Sequence, residues 1–113
     1  MATILPMSWQ VEILNEAVAA EIEALPADIQ ARFVWLGEKI RLTGLDRLRE
    51  PHVKHLEAKL WEMRLMGRDG IARALYVTAR GRRVIVVRAF VKKTQATPRS
   101  EIDIALRRAR EIL

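Results

Sequence analysis

The chain has no cysteine, only four prolines and a single tyrosine in 113 residues. The missing cysteine excludes a disulfide framework, a thiol nucleophile and a thiolate metal site, and it suits a reducing compartment. With half of the residues apolar and so few prolines, global disorder is excluded as well. No apolar run is longer than "VIVV" (Val84–Val87), far short of a bilayer span. The N-terminus lacks the charged-then-apolar pattern of a secretory signal, so the expected location is cytoplasmic, with no membrane partner. There is no glycine-rich phosphate loop, no H-E-x-x-H and no serine, histidine and aspartate spacing of a hydrolase. The two histidines, His52 and His55, are three apart beside Pro51, which does not favour the helix that a metal pair at this spacing needs. No metal and no small-molecule cofactor is expected.

What is present is positive charge, unevenly spread. A chain of 113 residues makes one domain, spanning residues 1–113, with a single core. Its net charge is +6, but residues 1–50 hold five Lys/Arg against eight Asp/Glu, and residues 51–113 hold fifteen against six. Between Arg80 and Lys93 stand Arg80, Arg82, Arg83, Arg88, Lys92 and Lys93, with no acid among them. Charge concentrated in this way points to a polyanion or an acidic protein as partner.

The patterning predicts both helices and strands. "WQVEIL" (Trp9–Leu14) reads as a short strand, and Asn15 as the cap of a helix through "EAVAAEIEAL" that Pro26 ends. Ile29, Phe33, Leu36 and Ile40 recur at helical spacing before Gly44, a natural stop. "LDRLREPHVKHLEA" is irregular, with Pro51 as punctuation. In "LWEMRL", Trp61, Met63 and Leu65 alternate with Glu62 and Arg64, as in a half-buried strand. "GRDG" and "RGRR" read as turns around the strand "IARALYVTA", and "VIVVRAFV" is the most β-prone segment. On this last strand Ile85, Val87, Ala89 and Val91 are expected on one face and Arg88 and Lys92 on the other. Thr97 is the expected cap of a terminal amphipathic helix, Pro98–Leu113, with Ile102, Ala105, Leu106, Ala109 and Ile112 as its stripe. The expected architecture is α+β: a small antiparallel sheet with the N-terminal helices packed on one face and a C-terminal helix. The other sheet face is then uncovered, and Arg64, Arg88 and Lys92 give it a basic surface, which Arg73 joins if the register of its strand allows, since like charges are not buried without partners.

The strings "HLEAKLWEMRLMGRDGIARALYV" and "VIVVRAFVKKTQATPRSEIDIALRRAREI" resemble the RelE/ParE superfamily of type II toxin–antitoxin toxins, in its HigB-like branch related to a phage protein family. The most specific part is the F-x-K-K-T-x-x-T-P transition into the last helix; the likeness runs from Leu56 to the C-terminus, and before it only the element order agrees. The resemblance implies a RelE-like fold with a curved antiparallel sheet. It also implies a toxin that enters the ribosome and cuts mRNA, and an antitoxin whose acidic segment covers the basic face. ParE members instead inhibit DNA gyrase without a nuclease, and a basic RNA- or protein-binding module without chemistry is a further alternative.

Cleavage of this type needs no metal, because the 2′-hydroxyl attacks the adjacent phosphate to give a cyclic phosphate. It requires a base, an acid and charge stabilisation at the phosphate. By the resemblance, Arg64 and Arg73 match arginines of the family motif and suit phosphate, since guanidinium presents a planar fork. Lys92 and Lys93, crowded by Arg88, and Lys54 are the further catalytic candidates. His52 and His55 could exchange protons or bind RNA, and Arg80, Arg82, Arg83 and Arg88 complete the RNA-binding set. Several RNA-cutting relatives carry a tyrosine or histidine after the last strand or near the chain end. Here Thr94 and Gln95 stand at the first of those places, and the last helix has neither residue type.

Overall fold

The computed structural model describes residues 8–48 and 52–112; Pro51, read as punctuation, lies outside them. The elements run β1 (Gln10–Ile13), α1 (Glu16–Glu23), α2 (Ala27–Thr43), a 3-10 turn (Leu45–Arg47), β2 (Val53–Glu57), β3 (Leu60–Met66), β4 (Ile71–Ala79), β5 (Arg83–Val91) and α3 (Arg99–Ala109). Asn15 caps α1 as its residue type predicts, its Oδ1 accepting from the Val18 N–H at 3.1 Å. Pro26, whose ring fixes φ and which has no N–H to lose, leads into α2. Ile29, Phe33, Leu36 and Ile40 form the buried stripe of that helix. It stops at Gly44, whose φ of 93° and ψ of 150° are open to glycine almost alone.

The five strands form one sheet in the order β1-β5-β4-β3-β2. β1 pairs parallel to β5, whereas the other neighbours are antiparallel. The sheet is therefore mixed, not purely antiparallel, and β2 is a strand drawn from the stretch that reads as irregular. α1 and α2 cover one face, over Met63, Leu65, Ala72, Ala74, Tyr76, Val84, Val86 and Ala89. α3 covers part of the opposite face, over Leu60, Leu75, Val77, Ile85 and Val87. Helices thus lie on both sides of the sheet, and the expectation of one uncovered face does not hold.

The reason lies in β5. Tyr76 pairs with Val86 and Leu75 with Arg88, so Val87 is an extra residue, a β-bulge. Ile85 and Val87 point toward α3, whereas Ala89 beyond the bulge points toward α1 and α2. Val84, Ile85, Val86 and Val87 are all buried, as befits a strand covered on both faces. The single apolar face expected for Ile85, Val87, Ala89 and Val91 is split between two cores, and Val91 is 40% exposed.

Candidate nucleic-acid interface

Register places the charged residues of the α3 face in rows. Lys54 of β2, Glu62 of β3, Leu75 of β4 and Arg88 of β5 are cross-strand neighbours. The next row holds Arg64, Arg73 and Phe90, with His52 beside Arg64, whose N–H donates to the His52 carbonyl at 2.8 Å. Beyond them Met66 pairs with Ile71, whose carbonyl accepts from the Lys92 N–H at 2.7 Å. The expectation that Arg64, Arg73, Arg88 and Lys92 share one face is therefore met. That all of them are open to a ligand is not.

Arg73 is 1% exposed and Glu62 is 2% exposed. The Arg73 guanidinium donates to Thr97 Oγ1 at 3.0 Å and to the Gln95 carbonyl at 2.6 Å, and its Nε lies 3.3 Å from Glu62. Thr97 Oγ1 in turn donates to Glu62 at 2.7 Å. Thr97 is thus not the cap of α3, which starts after Pro98 without a side-chain cap bond. The network staples the 92–98 crossover onto the sheet, because a buried charge is tolerated only when paired and hydrogen-bonded. Arg73 supports this crossover, and its guanidinium is taken up by these partners at the floor of the cleft beside Lys93.

Arg88 is committed as well. It donates to Glu101 at 2.9 and 3.0 Å and to Glu21 at 2.7 Å. Arg108 donates to both Glu21 oxygens, at 3.0 and 2.8 Å, and to the Val87 carbonyl at 2.9 Å, while the Ala89 N–H donates to Glu21 at 3.2 Å. β1 ends its pairing near Val86, so these side chains finish the strand edge that β1 leaves unpaired. Burial opposes ionisation of Glu21, but the bonds from Arg108 and the Ala89 N–H, with the Arg88 charge, hold its carboxyl below the ordinary value. Two arginines and two glutamates cancel, so Arg88 brings no free charge to a polyanion.

Lys54, Arg64, Lys92 and Lys93 make no side-chain hydrogen bond or ion pair among the described residues. Lys54 and Lys93 are exposed, and Arg64, Lys92 and His52 are half-buried. Lys93 faces a cleft of about 460 Å³ that also receives Phe90, Thr94 and Glu101. His55 is exposed and on the other face: it pairs across the strands with Trp61, its ring stands edge-on to that indole at 5.1 Å, and its Nε2 lies 2.7 Å from the Ala58 carbonyl. Arg80, Arg82 and Arg83 sit at the β4–β5 turn, at the opposite end of β5 from Lys92, roughly 30 Å away along a nine-residue strand. Arg83 there grips Glu12 at 2.6 and 2.8 Å. These three arginines and His55 do not join the cluster.

Sequence reasoning missed Glu62, Glu21, Glu101 and Thr97 as the groups that decide which arginines stay free. The only advance signal was Glu62 itself, which alternates onto the same face as Arg64. Tyr76, buried at 1% exposure among apolar neighbours, has its hydroxyl pushed well above the ordinary tyrosine value by that burial, and it takes no part in the cluster. Among the described residues there is no group of acidic or histidine side chains able to hold a metal, and no helix long and apolar enough to cross a membrane.

A chain in the crystal structure of the archaeal RelE–RelB complex from Pyrococcus horikoshii OT3 shares this fold, with a TM-score of 0.56 at 21% identity. The match covers 80% of the present chain and 100% of the archaeal one. No curated protein sequence matches the chain. The family model described as phage derived protein Gp49-like (DUF891) matches residues 20–110. That span takes in α2, all strands from β2 to β5, and α3, and the chain belongs to the phage-derived Gp49-like family.

Proposed function

We propose that this protein is the toxin of a type II toxin–antitoxin system, of the HigB-like kind, and that it cuts mRNA on the ribosome in the cytoplasm. The family and the RelE-like fold support this reading. The observation that carries it is that Lys54, Arg64, Lys92 and Lys93, spread over the α3 side of the sheet with His52 beside Arg64, have no ion-pair partner among the described residues, whereas the fold neutralises Arg73 and Arg88. In the reaction the 2′-oxygen bonds to the neighbouring phosphorus and the P–O5′ bond breaks. A base takes the 2′-proton, and an acid supplies a proton to O5′. Arg64 is the phosphate fork, and Lys92 and Lys54 offset the charge that builds on the phosphoryl oxygens. His52, beside Arg64, is the candidate proton-exchanging side chain. The ribosome supplies the in-line alignment of the message that an isolated protein face does not. The antitoxin presents an acidic segment to the same cations, blocking access and cancelling charge together.

Primer extension on a message in a cell-free translation mixture tests the reading. Discrete stops are expected with the wild type, and Arg64→Ala should reduce them by about 10²–10³-fold, the loss typical of one charge-stabilising group. A second reading, a non-cleaving inhibitor of DNA gyrase, draws support from the burial of Arg73 and Tyr76, which removes two groups suited to cleavage. Trapped gyrase–DNA complexes with an intact message would establish it in place of the first.

A further inference from the structure

Away from this cluster, Trp35 on α2 is 47% exposed, although indole is the largest apolar side chain. The Arg32 guanidinium lies 4.9 Å from the centre of its ring and the Lys39 ammonium 5.0 Å, in the range of cation–π attraction. Across a cleft of about 510 Å³ stands the β3–β4 turn, with Met66, Gly67 and Arg68. Neither wall is loose. The Arg68 N–H donates to Asp28 at 2.6 Å, and Gly67 packs so closely on α2 that a Cβ there would fall 2.5 Å from Ile29 Cγ1. Asp28, the one acid lining the cleft, is occupied by that bond to the turn.

The cleft lies round the β3–β4 turn from the candidate interface, on the α2 side of the sheet. Met66, 53% exposed, pairs with Ile71, and Ile71 is bonded to the Lys92 backbone. A strand that lies on Arg64 and Lys92 would reach α2 only by wrapping round the β3–β4 turn, past Met66 and Arg68, to the other face of the sheet. An exposed aromatic plane set between cations matches the alternation of flat base and charged phosphate in a single strand. An acidic peptide would satisfy the cations but would not require an open indole.

We propose that this cleft is a docking platform for single-stranded RNA, in which one base stacks on Trp35 and the adjoining phosphates meet Arg32, Lys39 and Arg68. Arg32 and Lys39 rest on the indole until a base takes their place, and they then turn to the phosphates. The choice of RNA as the single strand rests on the reading of the protein as an mRNA-cutting toxin; the platform's geometry does not.

The test is the affinity for a fluorescent single-stranded RNA dodecamer carrying 2′-methoxy groups, which cannot be cut by its own 2′-oxygens. Trp35→Ala should weaken binding by about tenfold, and Trp35→Phe should recover most of it. Because Trp35 is half exposed, neither variant empties the core. Arg32→Gln and Lys39→Gln should each lower the slope of log affinity against log salt by about 0.7, whereas Trp35→Ala should leave it unchanged. An affinity within about twofold of wild type for Trp35→Ala, below the range of a lost stack, overturns the platform. So does Trp35-dependent binding of a glutamate decapeptide in place of the dodecamer, which would make the cleft a protein-docking surface. If wild-type protein leaves mRNA uncut yet binds the dodecamer through Trp35, the nuclease reading fails and the platform stands. If message is cut while Trp35→Ala binds normally, the reverse holds.

Discussion

Replacing Arg73 by methionine separates a supporting role from a catalytic one. The guanidinium is 1% exposed and holds three partners on two segments: Glu62 of β3, and Gln95 and Thr97 of the crossover. Removing it leaves the Glu62 carboxylate buried with, among the described residues, only the Thr97 hydroxyl at 2.7 Å. Breaking a buried pair from one side costs about 3–5 kcal/mol, against a total stability of about 5–15 kcal/mol for a domain. A melting temperature more than about 10 °C below wild type is expected, together with a lower urea midpoint. Glu62→Leu alone should cost a similar amount. The double replacement should be less damaging than the two single effects together by about 2 kcal/mol, because an apolar pair leaves no unpaired charge. Calorimetry and urea titration of the four proteins give the coupling directly. If Arg73→Met melts within about 2 °C of wild type while abolishing mRNA cutting, Arg73 reaches the substrate and the supporting role is wrong.

Other consequences can be measured in the same way. Glu21 has a carboxyl held below its ordinary value in the folded state, so its contribution is complete above pH about 4.5. That contribution is lost as the pH falls through the depressed native value. Urea midpoints should therefore drop on acidification, and Glu21→Gln should flatten that dependence while lowering stability by about 1–3 kcal/mol near neutrality. A Glu21→Gln profile parallel to wild type would show that the charge cluster does not govern acid stability. Gly67→Ala should destabilise by about 1–3 kcal/mol, because its Cβ would meet Ile29 atoms at 2.5 and 2.9 Å; an unchanged urea midpoint would contradict that contact. Arg80→Gln should leave mRNA cutting within about twofold of wild type, since it lies at the far end of β5 and one exposed charge there contributes little. A tenfold loss would extend the interface to that turn.

The sequence reveals each element to a different degree. β3 is legible because Trp61, Met63 and Leu65 alternate with Glu62 and Arg64, and α2 because its apolar stripe is regular. β2 is not, since an edge strand bearing Lys54 and His55, broken by an irregularity between His55 and Glu57, carries almost no apolar alternation. The side covered by α3 had a signal in "VIVV", a continuous apolar run that marks a strand buried on both faces. The apparent alternation from Ile85 to Val91 hides that signal, and the bulge at Val87 interrupts it. The shared face of Arg64, Arg88 and Lys92 is visible from strand parity, whereas that of Arg73 depends on the β3–β4 register, which only the folded sheet shows. Their division into free and neutralised groups is not visible in the sequence, because Glu21 lies 67 residues from Arg88 in the chain and only folding brings them together.

The knot of Glu21, Arg88, Glu101 and Arg108 also sets an order of completion. Among the described residues no strand fills the Val87 carbonyl or the Ala89 N–H; Glu21 and Arg108 take them, and two of the four knot side chains, Glu101 and Arg108, arrive only with the final helix. Until α3 docks, a nascent or trimmed chain displays a sticky β-ribbon border of the sort that recruits other polypeptides. A version truncated before Arg99 should accordingly self-associate in sedimentation experiments, and a monomeric truncate would show that the border is sealed by other means.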